Sequence, residues 1–335
     1  YYYCIITQTY YGQTSTATSN RALLSVVPIL TISTQPSNVT KTEGDTVTFT
    51  VTPNTTAGVT YQWYKATAQS GGTTTKINGA TSSSYITPSI TESMNGTYYF
   101  CEVTQNYGSP SAYSSQIGPI NSNRALLTVG TSISVSTVSD IYRVEETSDA
   151  SFTVTPSGSG TYTYQWYSNG STNSNSGGTP ISGATSATYT IPANSISTDL
   201  NGTYYYCVVT QTYGESTNTV TTNAAKLGVT AKSTITTQPT AQTVNVHSPA
   251  TFSVTVGGTS SPALKYQWYQ SDTNSNTGGT PISGATNSTY TIPEATHALN
   301  GKYYYCVVTQ KYGNTYTLTT NPVKLTVTKI TATSQ

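Results

Sequence analysis

Cysteine and tyrosine are the residues whose types and spacing in this chain could carry chemistry, because both recur in one repeated stretch. Each copy joins one cysteine to several tyrosines and ends in Tyr-Gly. A thiol in this setting could support redox chemistry, an intermolecular disulfide or ligand binding. The β-branched and aromatic run, preceded by Asn-Gly in three copies, predicts a strand that opens a hairpin. The copies are 1–12 (YYYCIITQTYYG), 95–108 (NGTYYFCEVTQNYG), 201–214 (NGTYYYCVVTQTYG) and 300–313 (NGKYYYCVVTQKYG).

Other residues that could serve catalysis or bind a metal are few. The two histidines, His247 and His297, have no cysteine or carboxylate neighbours at ligand spacing. Glu145, Glu146 and Asp149 form a small carboxylate group that lacks the spacing of a calcium loop. No nucleophile motif, phosphate loop or acid–base pair recurs across the repeats. The sequence therefore predicts a protein that is not an enzyme, with no catalytic residue, no metal site and no cofactor.

Charge and composition exclude further classes of function. The 335 residues carry a formal net charge of +1 and only 7% are charged, whereas a nucleic-acid partner requires clustered Lys and Arg. Tyrosine outnumbers phenylalanine 29 to 4, which favours aromatic rings that can meet water. No apolar run reaches the length of a membrane span. We therefore expect no nucleic-acid partner, no membrane span in this stretch, and an extracellular location at the cell surface.

Tryptophan defines the period of the repeat. Trp63, Trp166 and Trp268 follow one another after 103 and 102 residues, which suits whole domains in series rather than a solenoid. Each tryptophan lies in a Tyr-Gln-Trp-Tyr segment. An alternating run such as Ser-Phe-Thr-Val precedes it, and a Gly-Gly pair and an Ile-x-Gly-Ala-Thr segment follow it. These patterns predict short strands joined by hairpin turns, with almost no helix.

This order of strands resembles the immunoglobulin-like (Ig-like) β-sandwich. The Ile-Ser-Gly-Ala-Thr wording is similar to the Ig-like repeats of large bacterial and archaeal cell-surface, filament and adhesin proteins. The resemblance implies an all-β fold of tandem Ig-like sandwiches, with the tryptophans on strand C, the cysteines on strand F and a tyrosine corner two residues before each cysteine. The core residues so implied are Trp63, Trp166, Trp268, Tyr99, Tyr205, Tyr304, Cys101, Cys207 and Cys306.

The chain departs from the Ig pattern at the strand-B cysteine. Valine stands at that position, as Val154 does opposite Cys207, so no disulfide can form within a domain. Cys207 alternates in phase with Tyr205 and Val209 and is expected to point inward as a small buried hydrophobe. An intermolecular disulfide, which would need an exposed sulfur, is the alternative.

Equivalent last strands set the predicted domain limits. The linkers between domains are short, so we expect the domains to lie in series as a stiff rod and the chain to be a window on a longer array. The predicted domains are an F–G hairpin of a preceding Ig-like domain (1–28), three Ig-like domains (29–129, 130–230 and 231–329) and the start of a following first strand (330–335).

Strand alternation also predicts an outward-facing set of aromatic residues on one sheet of each domain. If Cys207 and Tyr205 face inward, their neighbours along the strand face outward. A repeated aromatic stripe can be an interaction surface, or it can be cross-strand pairing that stiffens a sheet without a disulfide. The candidate interaction surface consists of Tyr64, Tyr98, Phe100, Tyr167, Tyr204, Tyr206, Tyr269, Tyr303 and Tyr305.

Six Asn-x-Ser/Thr sequons could carry N-linked glycans in an exported protein. Asn95 and Asn201 have a structural alternative, because Asn300 keeps the Asn-Gly pair and loses the sequon at Lys302. The candidate glycosylation sites are Asn38, Asn54, Asn95, Asn169, Asn201 and Asn287.

Three functional hypotheses follow. The first is a non-catalytic structural segment of a giant extracellular protein that forms a stalk, sheath or filament, with other copies of itself as lateral or end-to-end partners. The second is an adhesin that binds glycans or another cell surface through the tyrosine face and the F–G loops, of which 109–123 is the longest. The third, an enzyme, would require a catalytic domain elsewhere, so the structural role is the prediction.

Overall fold

A computed structural model describes residues 1–24, 29–106, 117–258 and 263–329 of the chain. These residues form β-strands joined by turns and loops, with four single turns of 3-10 helix. A two-stranded hairpin comes first, and three sandwiches of the same topology follow. The hairpin strands are β1 (Ile5–Tyr10) and β2 (Gln13–Thr18).

Within the described ranges, each sandwich contains ten short strands. Those of the first are β3 (Ile32–Thr34), β4 (Val39–Thr42), β5 (Thr48–Thr50), β6 (Thr52–Pro53), β7 (Val59–Ala66), β8 (Thr74–Lys76), β9 (Ser84–Ile86), β10 (Thr97–Gln105), β11 (Ile117–Asn121) and β12 (Ala125–Gly130). Those of the second are β13 (Ser134–Val135), β14 (Ile141–Val144), β15 (Ala150–Thr153), β16 (Pro156–Ser157), β17 (Thr161–Ser168), β18 (Thr179–Pro180), β19 (Thr188–Ile191), β20 (Thr203–Tyr213), β21 (Ser216–Thr221) and β22 (Ala225–Thr230). Those of the third are β23 (Thr234–Thr237), β24 (Gln242–Asn245), β25 (Ala250–Ser253), β26 (Thr255–Gly257), β27 (Lys265–Ser271), β28 (Thr280–Pro281), β29 (Thr289–Ile292), β30 (Tyr303–Tyr312), β31 (Asn314–Thr319) and β32 (Val323–Thr328). The 3-10 turns are Glu92–Met94, Ala193–Ser195, Thr198–Leu200 and His297–Leu299.

The larger sheet has the same strand order in all three sandwiches. In the second it runs β14-β22-β20-β17-β18, and β21 also pairs with β20. The pairing of β14 with β22 is parallel, whereas β22, β20, β17 and β18 pair antiparallel. The facing layer is made of two short pairs, β13 with β16 and β15 with β19. An early strand therefore closes one edge of the sheet beside the last strand.

The described residues fall into two compact units. The first comprises residues 1–132 with 213–216, and the second comprises 133–212 with the residues from 217 on. Each sandwich has its own hydrophobic cluster, one in the first unit and two in the second. The predicted domain limits stay a prediction, and their parts at 25–28 and 330–335 lie outside the described residues.

Alternating side chains explain why these segments form strands with one buried face. Along β15, Ala150 and Phe152 point into the core, while the two residues between and after them are exposed. Threonine and serine line the outer face of this pair of strands, where Ser151 and Thr190 exchange a side-chain hydrogen bond of 2.9 Å. β15 and its partner β19 thus carry apolar residues to one side only, which fits a thin two-layer core.

Four aromatic rings pack against one another in the core of each sandwich, whose cysteine is free. In the second sandwich, Phe152 packs on Trp166 and Tyr205 with ring centroids 6.3 and 4.9 Å apart. Tyr189 completes the set at 6.2 Å from Trp166 and 5.8 Å from Tyr205. The indole Nε1 of Trp166 donates to the carbonyl oxygen of Ser186 at 2.9 Å. The same four types of ring recur in the other two sandwiches.

In the third sandwich, the residue at the tyrosine-corner position makes a different hydrogen bond from the one that the Ig resemblance implies. The hydroxyl of Tyr304 donates to Oε1 of Gln270, its partner on the neighbouring strand β27, at 3.3 Å. Its ring stacks on Phe252 at 4.7 Å. The residue therefore belongs to the aromatic cluster of the core, and its hydroxyl pairs across the sheet.

Candidate interaction surface and the junction between sandwiches

The aromatic residues predicted to face outward form stacked cross-strand pairs on the larger sheet. Tyr167 on β17 lies directly opposite Tyr206 on β20, and their rings stack at 5.1 Å with an interplanar angle of 3°. The third sandwich repeats the pair at 5.1 Å and 5°, and the first has a similar pair at 5.3 Å and 14°. The equivalent pairs are Tyr64 with Phe100 and Tyr269 with Tyr305.

One member of each pair is buried, so the prediction of an exposed stripe is wrong for three of its nine residues. The exposed fractions of Phe100, Tyr206 and Tyr305 are 7%, 3% and 2%. The loop that joins the last two strands of this sheet order, β17 and β18 in the second sandwich, folds over these rings. In the second sandwich the backbone N–H of Gly178 in this loop donates to the Tyr206 hydroxyl at 3.0 Å. Alternation correctly placed the rings outside the core and could not show that a loop covers them.

Glycine is required where the loop crosses the ring. A Cβ atom at Gly178 would lie 2.8 Å from the carbonyl oxygen of Ser168 and 3.0 Å from the Tyr206 ring. Gly279 has the same surroundings and donates to the Tyr305 hydroxyl at 3.1 Å. The second glycine of the Gly-Gly pair is therefore set by this close approach, since a side chain would lift the loop from the tyrosine.

In the first sandwich, the loop that covers the Phe100 ring is held in place without a tyrosine hydroxyl. The guanidinium carbon of Arg124 lies 5.1 Å from the centroid of the Phe100 ring. Its Nη1 donates to the carbonyl oxygens of Ala68 and Gly71 in the covering loop, at 2.5 and 2.6 Å. A cation–π contact with two hydrogen bonds thus replaces the phenol.

The other six rings of the predicted surface are half-buried. These rings have an apolar body against the sheet and an accessible edge. They remain a candidate interaction surface, one smaller than the alternation predicts. They are Tyr64, Tyr98, Tyr167, Tyr204, Tyr269 and Tyr303.

We expect Tyr206→Phe to lower the free energy of unfolding of the second sandwich by about 1 kcal/mol, because the Gly178 N–H loses its acceptor in a partly buried place. Hydrogen exchange on the intact chain should show faster exchange at Gly178, while the core strands keep their fold. Tyr305→Phe should act in the same way on Gly279. An unchanged rate at both glycines would contradict the assigned hydrogen bonds.

Three of the four cysteines are buried in the hydrophobic cores of the sandwiches. Cys101, Cys207 and Cys306 are buried, whereas Cys4 in the N-terminal hairpin is exposed. Burial raises the pKa of the Cys101 thiol to about 12 and the pKa values of Cys207 and Cys306 to about 11. The thiolate that redox or metal chemistry requires is therefore strongly disfavoured at these three positions.

Alkylation at pH 8 is expected to label the native chain once, at Cys4, and the unfolded chain four times. A pKa raised by two units lowers the thiolate fraction about a hundredfold, and burial slows access further. Intact mass after treatment with iodoacetamide, with and without guanidinium, measures the number of labels. Rapid labelling of Cys207 in the native chain would contradict its burial.

Asparagines at the sequons make structural hydrogen bonds. Oδ1 of Asn95 accepts from the N–H of Val129, and Oδ1 of Asn201 accepts from Val229, each at 2.9 Å. Asn300, which lacks a sequon, makes the same 2.9 Å bond to Val327. This shared bond favours the structural explanation of the Asn-Gly pairs.

The other four sequons differ in how their side chains are held. Asn54 and Asn169 already donate through Nδ2, the atom that a glycan would modify, to loop carbonyls. Asn38 accepts through Oδ1 from the N–H of Leu126 at 2.8 Å and is exposed. Asn287 is exposed as well. Glycosylation of all six stays a prediction.

Histidines and carboxylates do not gather into a site. His247 lies 4.0 Å from a carboxylate oxygen of Glu294, and both side chains are mostly exposed. Within the described ranges, no group of three or more His, Cys, Asp or Glu residues is placed to hold a metal ion.

A contact that the sequence reasoning missed joins the second and third sandwiches within the second unit. The tip of the β30–β31 hairpin, Tyr312-Gly313-Asn314, rests on β14. Oδ1 of Asn314 accepts from the N–H of Val144 at 2.9 Å, and its Nδ2 donates to Oγ1 of Thr147 at 2.6 Å. A Cβ atom at Gly313 would overlap the carbonyl oxygen of Tyr142. The available signal was the Tyr-Gly that closes every copy of the repeat.

Aromatic and linker contacts extend this junction. The rings of Tyr142 and Tyr312 meet edge to face at 5.3 Å. Gln310, on the same strand, holds the linker, because its Oε1 accepts from Ser233 and its Nε2 donates to the carbonyl oxygen of Ala231. The N–H of Lys232 donates to a carboxylate oxygen of Glu145 at 3.1 Å. The junction is thus a hydrogen-bonded surface with defined geometry.

Related contacts occur within the first unit, which includes residues 213–216. Oγ of Ser216 accepts from the N–H of Thr42 at 2.9 Å and donates to Asp45 at 2.5 Å. A Cβ atom at Gly214 would overlap Thr40, which leaves no space there for a side chain. The N–H of Glu215 donates to the carbonyl oxygen of Thr40 at 3.0 Å. The Ser216 hydroxyl thus accepts a hydrogen bond from a backbone N–H of an edge strand, as the Asn314 amide oxygen does in the second unit.

Comparison with known proteins identifies the class of domain. A family model described as "Immunoglobulin domain" matches residues 232–309. The I-band fragment I67-I69 from titin is 15% identical, with a TM-score of 0.46, over 90% of this chain and 100% of that chain. Extracellular domains 3–5 of Drosophila OTK are 15% identical, with a TM-score of 0.40, over 92% and 100%. The N-terminal eight Ig domains of Down Syndrome Cell Adhesion Molecule are 16% identical, with a TM-score of 0.36, over 94% and 39%.

The chain is an all-β protein with three Ig-like sandwiches in tandem, and the predicted fold class is confirmed. A search of curated proteins found no match. The match indicates no catalytic family. Within the described residues, no helix has the length and apolar character needed to cross a membrane.

Proposed function

We propose that this chain is a non-catalytic structural segment of an extracellular surface protein that builds a stalk, sheath or filament. The observation that carries the proposal is the junction of the second unit. Asn314, Gln310 and Glu145 fix the two sandwiches to each other by side-chain hydrogen bonds to backbone N–H groups. A protein that needs its domains in register benefits from such a junction, whereas a flexible tether does not.

Composition supports an extracellular location for this role. Only 7% of the residues are charged, and tyrosine outnumbers phenylalanine 29 to 4, which suits rings that can meet water. The stacked aromatic pairs under the covering loops stiffen each sheet, and the half-buried tyrosines are available for lateral contacts with other copies of the chain. Accessible sequons at Asn38 and Asn287 fit a glycoprotein.

An adhesin remains the alternative function. The buried rings of Phe100, Tyr206 and Tyr305 remove much of the aromatic face that would bind glycans. The F–G connections remain as candidate binding loops, although 109–116 of the longest one lies outside the described residues. An adhesin should therefore bind its ligand through hairpin tips rather than through the sheet.

Electron microscopy of the native assembly tests the structural role. Ordered lateral or end-to-end packing of the chains is the expected result. Isolated particles that do not associate would overturn the filament and sheath, and a flexible arrangement of sandwiches would overturn the stalk as well. Binding to a glycan array by the chain, lost on substitution of a hairpin tip, would favour the adhesin.

A further inference from the structure

We propose that Asn78 is a site of spontaneous deamidation, at which the side chain closes onto the backbone nitrogen of Gly79 and then opens to aspartate or isoaspartate. This modification goes beyond the proposed structural function, since it would act on a stalk and on an adhesin alike. The evidence for it comes from the five Asn-Gly pairs of the chain, which share one reactive sequence and differ in their hydrogen bonds. The pairs begin at Asn78, Asn95, Asn169, Asn201 and Asn300.

The reaction needs only the two residues of an Asn-Gly pair and water. The backbone nitrogen of the glycine loses its proton and attacks Cγ of the asparagine, so that a C–N bond forms. The side-chain nitrogen leaves as ammonia with that proton, and a five-membered succinimide ring remains. Water then opens the ring at either carbonyl and gives aspartate, or isoaspartate, in which the main chain runs through Cβ and Cγ. Glycine favours the attack because no side chain hinders its nitrogen.

Three of the five pairs are held by hydrogen bonds at both reacting groups. In the second sandwich, the N–H of Gly202 donates to the carbonyl oxygen of Leu227 at 2.8 Å. Oδ1 of Asn201 accepts from the N–H of Val229 at 2.9 Å. The succinimide ring cannot close until both bonds break. The pairs that begin at Asn95 and Asn300 make the same two bonds.

A fourth pair, Asn169-Gly170, is held at the carboxamide. Nδ2 of Asn169 donates to the carbonyl oxygens of Ser174 and Ser176 at 2.8 and 3.1 Å. Nδ2 is the leaving group of the reaction, and both bonds must break before the carboxamide can turn onto Gly170. We therefore expect Asn169 to react more slowly than a pair without such bonds.

The fifth pair, Asn78-Gly79, is free at both reacting groups. The two residues are exposed in a turn that is closed by a 3.2 Å bond from the N–H of Ala80 to the carbonyl oxygen of Ile77. Among the described residues, neither the Asn78 side chain nor the Gly79 N–H has a hydrogen-bond partner. A Cβ atom at Gly79 would meet nothing within 4 Å, so the peptide between the two residues has space to rotate. Asn78 is therefore the asparagine that can form the ring in the folded chain.

The turn at Asn78 holds the backbone of the central tryptophan of the first sandwich. The N–H of Trp63 donates to the carbonyl oxygen of Ala80 at 3.0 Å, and the N–H of Ile77 donates to the carbonyl oxygen of Trp63 at 3.0 Å. Isoaspartate adds one main-chain carbon between Ile77 and Ala80, which changes the spacing of these two groups. Isoaspartate at Asn78 should therefore loosen the backbone that carries the buried indole.

Serine occupies this turn in the other two sandwiches. Ser182 and Ser283 stand where Asn78 stands, each before a glycine, and the same backbone bonds hold Trp166 and Trp268. Serine has no carboxamide and cannot form the ring. Modification of this turn is therefore confined to the first sandwich, and Asn78→Ser is a control whose side chain the turn already accepts.

Prolonged incubation of the intact chain at mildly alkaline pH, followed by peptide mass spectrometry, tests the proposal. The fraction of aspartate and isoaspartate at each Asn-Gly pair is measured over time, in the folded chain and in guanidinium. In guanidinium the five pairs should react at similar rates, because glycine follows each asparagine. In the folded chain Asn78 should react at least about tenfold faster than Asn95, Asn201 and Asn300, since the hydrogen bonds of those pairs must open first.

Hydrogen exchange measures the effect of the modification on the core. The Trp63 amide should exchange faster in the aged wild-type chain, in proportion to the isoaspartate at Asn78. The Trp166 amide should keep its rate. In aged Asn78→Ser, the Trp63 amide should stay as protected as in the fresh chain.

Two results would overturn the proposal. Equal rates at Asn78 and Asn201 in the folded chain would show that the hydrogen bonds do not select the reactive pair. Reaction of Asn78 in guanidinium alone would show that the folded turn protects it. Neither result would bear on the structural function, which depends on the junction at Asn314.

Discussion

Trp166→Ala is expected to lower the free energy of unfolding of the second sandwich by about 3–5 kcal/mol. The indole is fully buried and touches both Phe152 and Tyr189. Its removal leaves a cavity between the sheets and strips the carbonyl oxygen of Ser186 of its donor. No disulfide spans the layers to limit the loss. Hydrogen exchange of the β17 and β20 amides in the intact chain measures the effect.

The control for this substitution is Thr163→Ala on the same strand. Thr163 is exposed, and a surface change of this kind should cost less than about 0.5 kcal/mol. Trp268→Ala should reproduce the large effect in the third sandwich. A loss below about 1 kcal/mol for Trp166→Ala would contradict the role of the indole as the centre of the core.

Gly313→Ala is expected to open the junction between the second and third sandwiches while both remain folded. The new Cβ would overlap the carbonyl oxygen of Tyr142, which is backbone and cannot move aside. The hairpin tip must then lift, and Val144 loses the acceptor that Asn314 supplies. The hydrogen-exchange rate of the Val144 amide should rise by about two orders of magnitude. Each tenfold change in this rate corresponds to about 1.4 kcal/mol of protection.

Gly284→Ala separates the steric effect from the cost of the backbone conformation. Gly284 has a φ of 76°, nearly that of Gly313, and a Cβ atom there would meet nothing within 4 Å. Gly284→Ala should lower the free energy of unfolding only by the strain of alanine at positive φ, and the Val144 amide should stay protected from exchange. If Gly313→Ala left Val144 equally protected, the hairpin tip would not be the element that holds the junction.

The fold could be predicted because its signals are local and repeated three times. Trp166, Phe152 and Tyr205 alternate with polar residues along strands, and the Gly-Gly and Asn-Gly pairs mark the turns. Period-2 alternation determines which face of a strand a residue occupies, so the inward side chains follow from sequence alone. The absence of the strand-B cysteine was equally visible.

The candidate surface could be predicted only in part. Alternation predicts that the Tyr206 side chain points away from the core, and it does not indicate whether a loop covers the ring. That coverage depends on Gly178, a residue 28 positions away in the chain, which meets the hydroxyl only in the folded protein. An outward side chain is therefore not the same as an exposed one.

The junction lay beyond sequence reasoning for a related reason. Asn314 and Ser216 make similar hydrogen bonds with different side chains, so no single residue type marks the position. Their partners, Val144 and Thr42, are about 170 residues distant in the chain. The sequence signal at the hairpin tip is the Tyr-Gly pair that ends each repeat, and a tight turn is enough to explain that pair.

The parallel pairing of β14 with β22 has a mechanical consequence. Because the two strands run in the same direction, tension that enters the sandwich along β14 and leaves along β22 pulls them in opposite directions along their length. The four residue pairs from Ile141–Leu227 to Val144–Thr230 would then share the force in shear. An antiparallel pair loaded at the same end would instead unzip one hydrogen bond at a time. Each sandwich is therefore built to resist extension before it yields.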